Sequence, residues 1–77
     1  MELNNCEIDL MKMKHLRENR NLSHKAIATL LGFETAQGYY YKESGKTKFS
    51  AIEIKMLADF YEIDVGELYQ NSSKPKN

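Results

Sequence analysis

Apolar residues recur at helical spacing along most of the chain. Leu10, Met13 and Leu16 fall three residues apart, with Lys12, Lys14, Arg17 and Glu18 between them, which predicts an amphipathic first helix. The pattern breaks from Asn19 to Leu22. Ser23 then offers a hydroxyl that can accept from a free amide of a new first turn, and Ala26, Ile27, Leu30 and Leu31 give the second helix its apolar stripe. Gly32 follows, where a helix ends at least cost in a left-handed residue. Thr35 is the next N-cap, opening a helix through Tyr39 to Ser44 that Gly45 stops. Ser50 caps a fourth helix carrying Ile52, Ile54, Leu57, Ala58, Phe60 and Tyr61, with Glu53 three residues on as in a capping box. Asp64 caps a short last helix with Val65, Leu68 and Tyr69. No segment alternates with period two over more than a few residues. The expected fold is all-α, a compact bundle of about five short helices. Residues 1–7 and 71–77, the latter holding the lone Pro75, read as flexible tails, and 8–70 as the folding unit.

Composition narrows the function. With 77 residues, 42% of them hydrophobic, the chain makes one small globular domain, too short for a catalytic α/β fold. No apolar run approaches the ~18 residues of a membrane span, and the acidic start of the chain lacks the apolar stretch of a secretory signal. Cys6, without a partner cysteine, fits a reducing cytoplasm. No His, Cys and carboxylate spacing suggests a metal site, and His15 reads as a surface histidine. Neither a glycine-rich phosphate loop nor a nucleophile–base pattern is present. The sequence therefore points to no enzyme, no cofactor and no metal.

Two short helices meeting at a glycine-containing turn are the main constellation. They run from Ser23 to Leu31 and from Thr35 to Ser44, with Ala28 four residues before Gly32. A small side chain there lets the second helix cross closely, the geometric need of a helix-turn-helix, whose first helix braces the backbone of a duplex while the second enters the major groove.

In its residues Leu16-Arg17, Leu22-Ser23, Ile27-Ala28, Leu31-Gly32-Phe33, Glu43-Ser44-Gly45-Lys46, Ile54, Leu57-Ala58, Tyr61-Glu62-Ile63 and Glu67-Leu68, the sequence resembles the Cro/cI-type (XRE-type) helix-turn-helix regulators of phages and bacteria. The resemblance runs from about Leu10 to Tyr69 and implies a lambda-repressor-like DNA-binding domain. The sequence departs from the family pattern in three places. Gly32 to Glu43 is one residue longer than the commonest spacing. Placing the extra residue in the turn before Thr35 makes Tyr39 the buried residue of the third helix, whereas the other register would bury Gly38 and Tyr41. Lys42 stands where the family has an apolar residue, its stem expected to cross the core edge with the ammonium in water. His24 replaces the usual glutamine at the start of the second helix.

The resemblance puts the reading surface on the first turns of the third helix, and helical spacing agrees. With Tyr39 inward, Ala36, Gln37 and Tyr40 or Tyr41 point outward. Gln37 is the prime base-contacting candidate, because a carboxamide both donates to and accepts from adenine in the major groove. Ala36 suits a thymine methyl. Gly38, costing about 1 kcal/mol of helix stability, hints at close approach of another backbone. Tyr41 completes the base-contacting set, and Tyr40 serves either the phosphates or a protein interface. His24, Thr35, Ser44, Lys46 and Lys48 are the expected phosphate contacts, with Thr47 as an added hydroxyl. The resemblance further implies a partly buried, bidentate ion pair between Arg17 and Glu43 holding helix three against helix one. Phe60, Tyr61, Val65, Leu68 and Tyr69 are the expected dimer surface, though the same residues could close the monomer core. A homodimer on a palindromic double-stranded DNA operator, probing half-sites ~34–36 Å apart, is the leading expectation. The alternative is a protein-interaction module, such as an antitoxin or an antagonist of another regulator.

Charge bears on this choice. Eleven Lys and Arg balance eleven Asp and Glu, which at first argues against a nucleic-acid partner. The balance is uneven along the chain: residues 10–48 carry eight bases against three acids, and residues 49–70 one base against five acids. The basic half coincides with the helix-turn-helix.

Overall fold

The structure, a computed structural model, describes residues 7–70. Four α-helices run Leu10–Asn19 (α1), His24–Leu30 (α2), Ala36–Glu43 (α3) and Ala51–Tyr61 (α4), and a 3₁₀ turn follows at Val65–Leu68. The fold is all-α, as the periodicity predicts. The fifth element is a single 3₁₀ turn because only four residues separate Asp64 from Tyr69, enough for bonds that reach back three residues and no more.

Local chemistry sets each helix start. Ser23 Oγ accepts from the Ala26 amide at 3.0 Å, and Ser50 and Glu53 form the reciprocal capping box. Asp9 caps α1 by accepting from the Lys12 amide at 3.1 Å. Thr35 and Asp64 occupy cap positions with extended backbones but make no side-chain cap bond.

All four helices end the same way. At each end a left-handed residue and the one after it return their amides to carbonyls of the last turn. The left-handed residues are Asn21, Gly32, Gly45 and Glu62. For α2 the bonds run from Gly32 to Thr29 and from Phe33 to Ala28, which sets the turn into α3.

The core is built from Met13, Ile27, Ala28, Tyr39, Ile54, Leu57, Ala58, Tyr61 and Leu68. Tyr39 is fully buried, so the register with the extra residue in the turn is the one the fold adopts. Ala28, also fully buried, lets α3 pack closely against α2. Two expected apolar positions lie outside the core. Ala26 is exposed because the inward face of α2 follows Ile27, Ala28 and Leu31, one turn of spacing that excludes it. Ile52 is 71% exposed because Ile54, Leu57, Ala58 and Tyr61 define the inward face of α4, about 170° from it on a helical wheel.

The ends of the described chain are joined. Ile8 lies opposite Tyr69 in an isolated antiparallel bridge, with the Asp9 amide donating to Leu68 O at 2.8 Å and the Gln70 amide to Glu7 O at 2.6 Å. Glu7, expected in the N-terminal tail, is thus hydrogen-bonded to the domain. The rest of that tail, with Cys6, and the C-terminal tail lie outside the described residues.

Two substitutions check this packing. A Cβ on Gly38 would meet the Phe33 ring at 3.4 Å, an ordinary contact, so Gly38→Ala should raise the unfolding free energy by about 1 kcal/mol in urea titration. Tyr61 is 3% exposed, burial pushes its hydroxyl up to about 12, and that hydroxyl has no hydrogen-bond partner among the described residues. Removing an unpartnered buried hydroxyl costs no bond, so Tyr61→Phe should leave stability unchanged or raise it by up to ~1 kcal/mol.

Candidate nucleic-acid interface

One buried polar cluster holds α3 in place. Arg17 of α1 and Glu43 at the last turn of α3 are 7% and 8% exposed. Arg17 Nε and Nη2 donate to the Glu43 carboxylate, both at 2.9 Å, a two-pronged pair between a planar guanidinium and a planar carboxylate. Arg17 Nη1 donates to Leu22 O at 2.9 Å, tying in the segment that leads into α2. Tyr39 donates its hydroxyl to Glu43 Oε2 at 2.8 Å, and His24 Nε2 lies 3.2 Å from Glu43 Oε1. The carboxylate therefore meets partners from α1, α2 and α3. Burial alone would raise the Glu43 pKa, but the hydrogen bonds from Arg17 and Tyr39 outweigh it and hold the group below the usual carboxylate range. The bond to Glu43 likewise raises Arg17.

A second tie joins α3 to α4. Lys42 Nζ sits 2.9 Å from Glu53 Oε1 and 2.7 Å from Lys48 O. Its side chain is only 17% exposed. The ammonium expected in water is thus also bonded to Glu53 and to a loop carbonyl. Burial opposes ionisation of Glu53, but its bond from the Ser50 amide and the Lys42 charge prevail, and its pKa too is lowered.

With α3 so held, its outer face presents Gln37, which is exposed, and Ala36 and Tyr41, which are partly so. Gln37 Nε2 donates to the Tyr41 hydroxyl at 2.7 Å. Lys46 Nζ lies 4.7 Å from the centre of the Tyr41 ring, within cation–π range, and its amide donates to Tyr41 O. Lys48 and Thr35 are exposed at the two ends of the same region. Tyr40 is 50% exposed and stands edge-on to the His24 ring at 5.3 Å.

Several of the expected contact residues also have partners within the domain. Gly38 faces the Phe33 ring, where a Cβ would make an ordinary contact at 3.4 Å, so packing within the domain does not itself require the glycine. His24 turns Nε2 toward Glu43 Oε1, 3.2 Å away. Ser44 donates its hydroxyl to Tyr41 O at 3.1 Å, which commits its only proton to the helix end. In the expected dimer surface, Tyr61 and Leu68 are core residues, 3% and 0% exposed, because they close the bundle under α4. Phe60 and Tyr69 are partly buried, and Val65 is 37% exposed. Lys25, overlooked in the sequence, is exposed on α2 with Nζ 3.3 Å from Glu34 O, beside the turn.

The basic half also holds fewer outward charges than a count suggests. Arg17 and Lys42 are paired internally. Arg20 reaches the Phe60 and Tyr61 carbonyls at 3.4 and 3.3 Å, placing a cation at the C-terminal end of α4. Lys25, Lys46 and Lys48 remain around α2, α3 and the loop after it.

A family model described as Helix-turn-helix matches residues 13–68. The chain belongs to the Cro/cI-type (XRE-type) helix-turn-helix family. As a member of that family it is a DNA-binding regulator, and α2 and α3 are its helix-turn-helix. No curated protein and no solved structure matches the chain. Among the described residues no helix is long and apolar enough to cross a membrane, and no group of metal-binding side chains occurs.

Glu43 and Glu53 make the domain acid-sensitive. Their folded-state pKa values lie below the ordinary value of 4.5, so their stabilisation is complete above that pH and is lost as pH falls through the lower folded values. Urea midpoints should thus decline below about pH 4.5. Glu43→Gln should lose ~3–5 kcal/mol at neutral pH, leaving Arg17 buried without its counter-charge, and should show a shallower acid decline. An acid profile identical to that of the unmodified protein would contradict the assignment.

Proposed function

We propose that the protein is a sequence-specific, double-stranded-DNA-binding transcriptional repressor of the cytoplasm. The observation that carries this reading is the outer face of α3: Ala36, Gln37 and Tyr41 stand together, flanked by Lys46 and Lys48, on a helix fixed by the buried Arg17–Glu43 pair and the partly buried Lys42–Glu53 pair. Gln37 suits an adenine edge, and Ala36 a thymine methyl. Lys46, Lys48, Thr35 and Tyr40 serve the phosphates, with Lys25 added from α2. Ser44 and His24, whose inward bonds are described above, take the lesser part in that set.

One such domain covers little duplex surface. A homodimer on a palindrome remedies this, its α3 helices about one helical turn apart. The partly exposed Phe60, Val65 and Tyr69 are the remaining candidates for its interface once Tyr61 and Leu68 are assigned to the core. A second reading, a protein-interaction module such as an antitoxin, draws on Ile52 and Val65, two exposed apolar side chains on the acidic half.

Electrophoretic shift with upstream DNA at defined salt tests the proposal. Lys46→Ala and Lys48→Ala should each weaken binding and lower the salt slope by about one, Lys48→Ala about equally on all sequences. Unchanged affinity and slope would remove the phosphate assignment, and no shift at low salt on the protein's own promoter region would remove the DNA-binding function.

A further inference from the structure

The link between Gln37 and Tyr41 reaches beyond either residue alone. A glutamine at an exposed helix position has several rotamers, and its carboxamide can turn either edge outward. Here one N–H of Nε2 is committed to the Tyr41 hydroxyl at 2.7 Å. That bond fixes the amide plane and leaves Oε1 and the second N–H as its unassigned polar atoms. One acceptor and one donor on a planar group are what an adenine presents a match for, through N6–H and N7. Tyr41 is itself held twice. Its ring lies under Lys46 Nζ at 4.7 Å, and its carbonyl accepts from the Lys46 and Thr47 amides at 2.8 and 3.2 Å. Because the Tyr41 hydroxyl oxygen accepts from Gln37, its own proton is still available to donate.

We propose that Tyr41 is a positioning residue for base readout: it presets the Gln37 carboxamide for an A·T pair, and Lys46 steadies the Tyr41 ring from the side where the loop meets the duplex. The inference rests on the reading of Gln37 as a base contact. Its energetic sense is preorganisation. A side chain already in its binding rotamer loses less freedom on contact, and the wrong base then meets a donor and acceptor that cannot turn to suit it.

The test uses the full chain. The preferred site is selected from random duplexes, and the relative affinity for all four bases is then measured at each position for the unmodified protein, Gln37→Ala, Tyr41→Phe and the double variant. Tyr41→Phe keeps the ring beneath Lys46 and removes only the hydroxyl. Gln37→Ala should flatten a preference of about ten-fold or more at one A·T position. Tyr41→Phe should reduce the preference at that same position at least about three-fold, leave other positions and non-specific binding unchanged, and add nothing in the double variant. Thermal melts of all variants exclude a folding defect as the cause. If Gln37→Ala flattens one position and Tyr41→Phe leaves it intact, the positioning role is wrong while the base contact stands. If Tyr41→Phe flattens a different position, Tyr41 reads a base of its own and the proposal is overturned. If selection yields no preferred site, or Gln37→Ala alters none, both the base contact and the positioning role are wrong.

Discussion

The bond between Arg17 and Glu43 is the constraint on which the rest of the molecule depends. A buried carboxylate is tolerated only when its oxygens are met, and here a guanidinium, a phenol and an imidazole nitrogen converge on it. Each partner comes from a different place: α1, the middle of α3, and the first residue of α2. Moving α3 by an ångström would break several of these bonds together. The cluster thus converts charge, ordinarily a poor source of net stability when buried, into a fixed orientation for one short helix. An apolar replacement of the same shape would fill the space without specifying the angle.

The same logic explains how an eight-residue helix with three consecutive tyrosines keeps one defined face. Tyr39 is drawn inward by its hydrogen bond as well as by its ring. Tyr40 leans on His24, which is itself held by Glu43. Tyr41 faces the loop and binds across to Gln37. Three identical side chains therefore have three different surroundings, set by the 100° step of the helix and by the partners waiting at each step.

Much of this was legible locally. The Ser23 and Ser50 caps, the Gly32 and Gly45 stops and the burial of Tyr39 follow from spacing within a turn or two, where sequence and space coincide. The Arg17–Glu43 pair spans 26 residues and was accessible only through the family resemblance. The Lys42–Glu53 tie, the reach of Arg20 to the end of α4 and the Ile8–Tyr69 bridge had no such guide, because a long-range partner leaves no periodic trace. Ala26 and Ile52 differ from the expectation for a simpler reason: each is an apolar residue beside an inward stripe without belonging to it. The Gln37–Tyr41 bond joins residues four apart on one helix, so the spacing allows it, but spacing alone does not select this pair among the helix's other neighbours.

The bridge between Ile8 and Tyr69 carries a consequence for the order in which the domain assembles. The α2–α3 unit forms from residues close in sequence, so its closure entropy is small and it can condense early. The bridge closes nearly the whole described chain into one loop, and the entropic cost of closure rises with loop length. It is therefore expected to form late, after the Arg17–Glu43 cluster has brought α1 against α3. In hydrogen exchange, the amides of Asp9 and Gln70 should then belong to a low-energy opening that leaves the helical centre intact, a loosening at the seam of the molecule and not at its reading face.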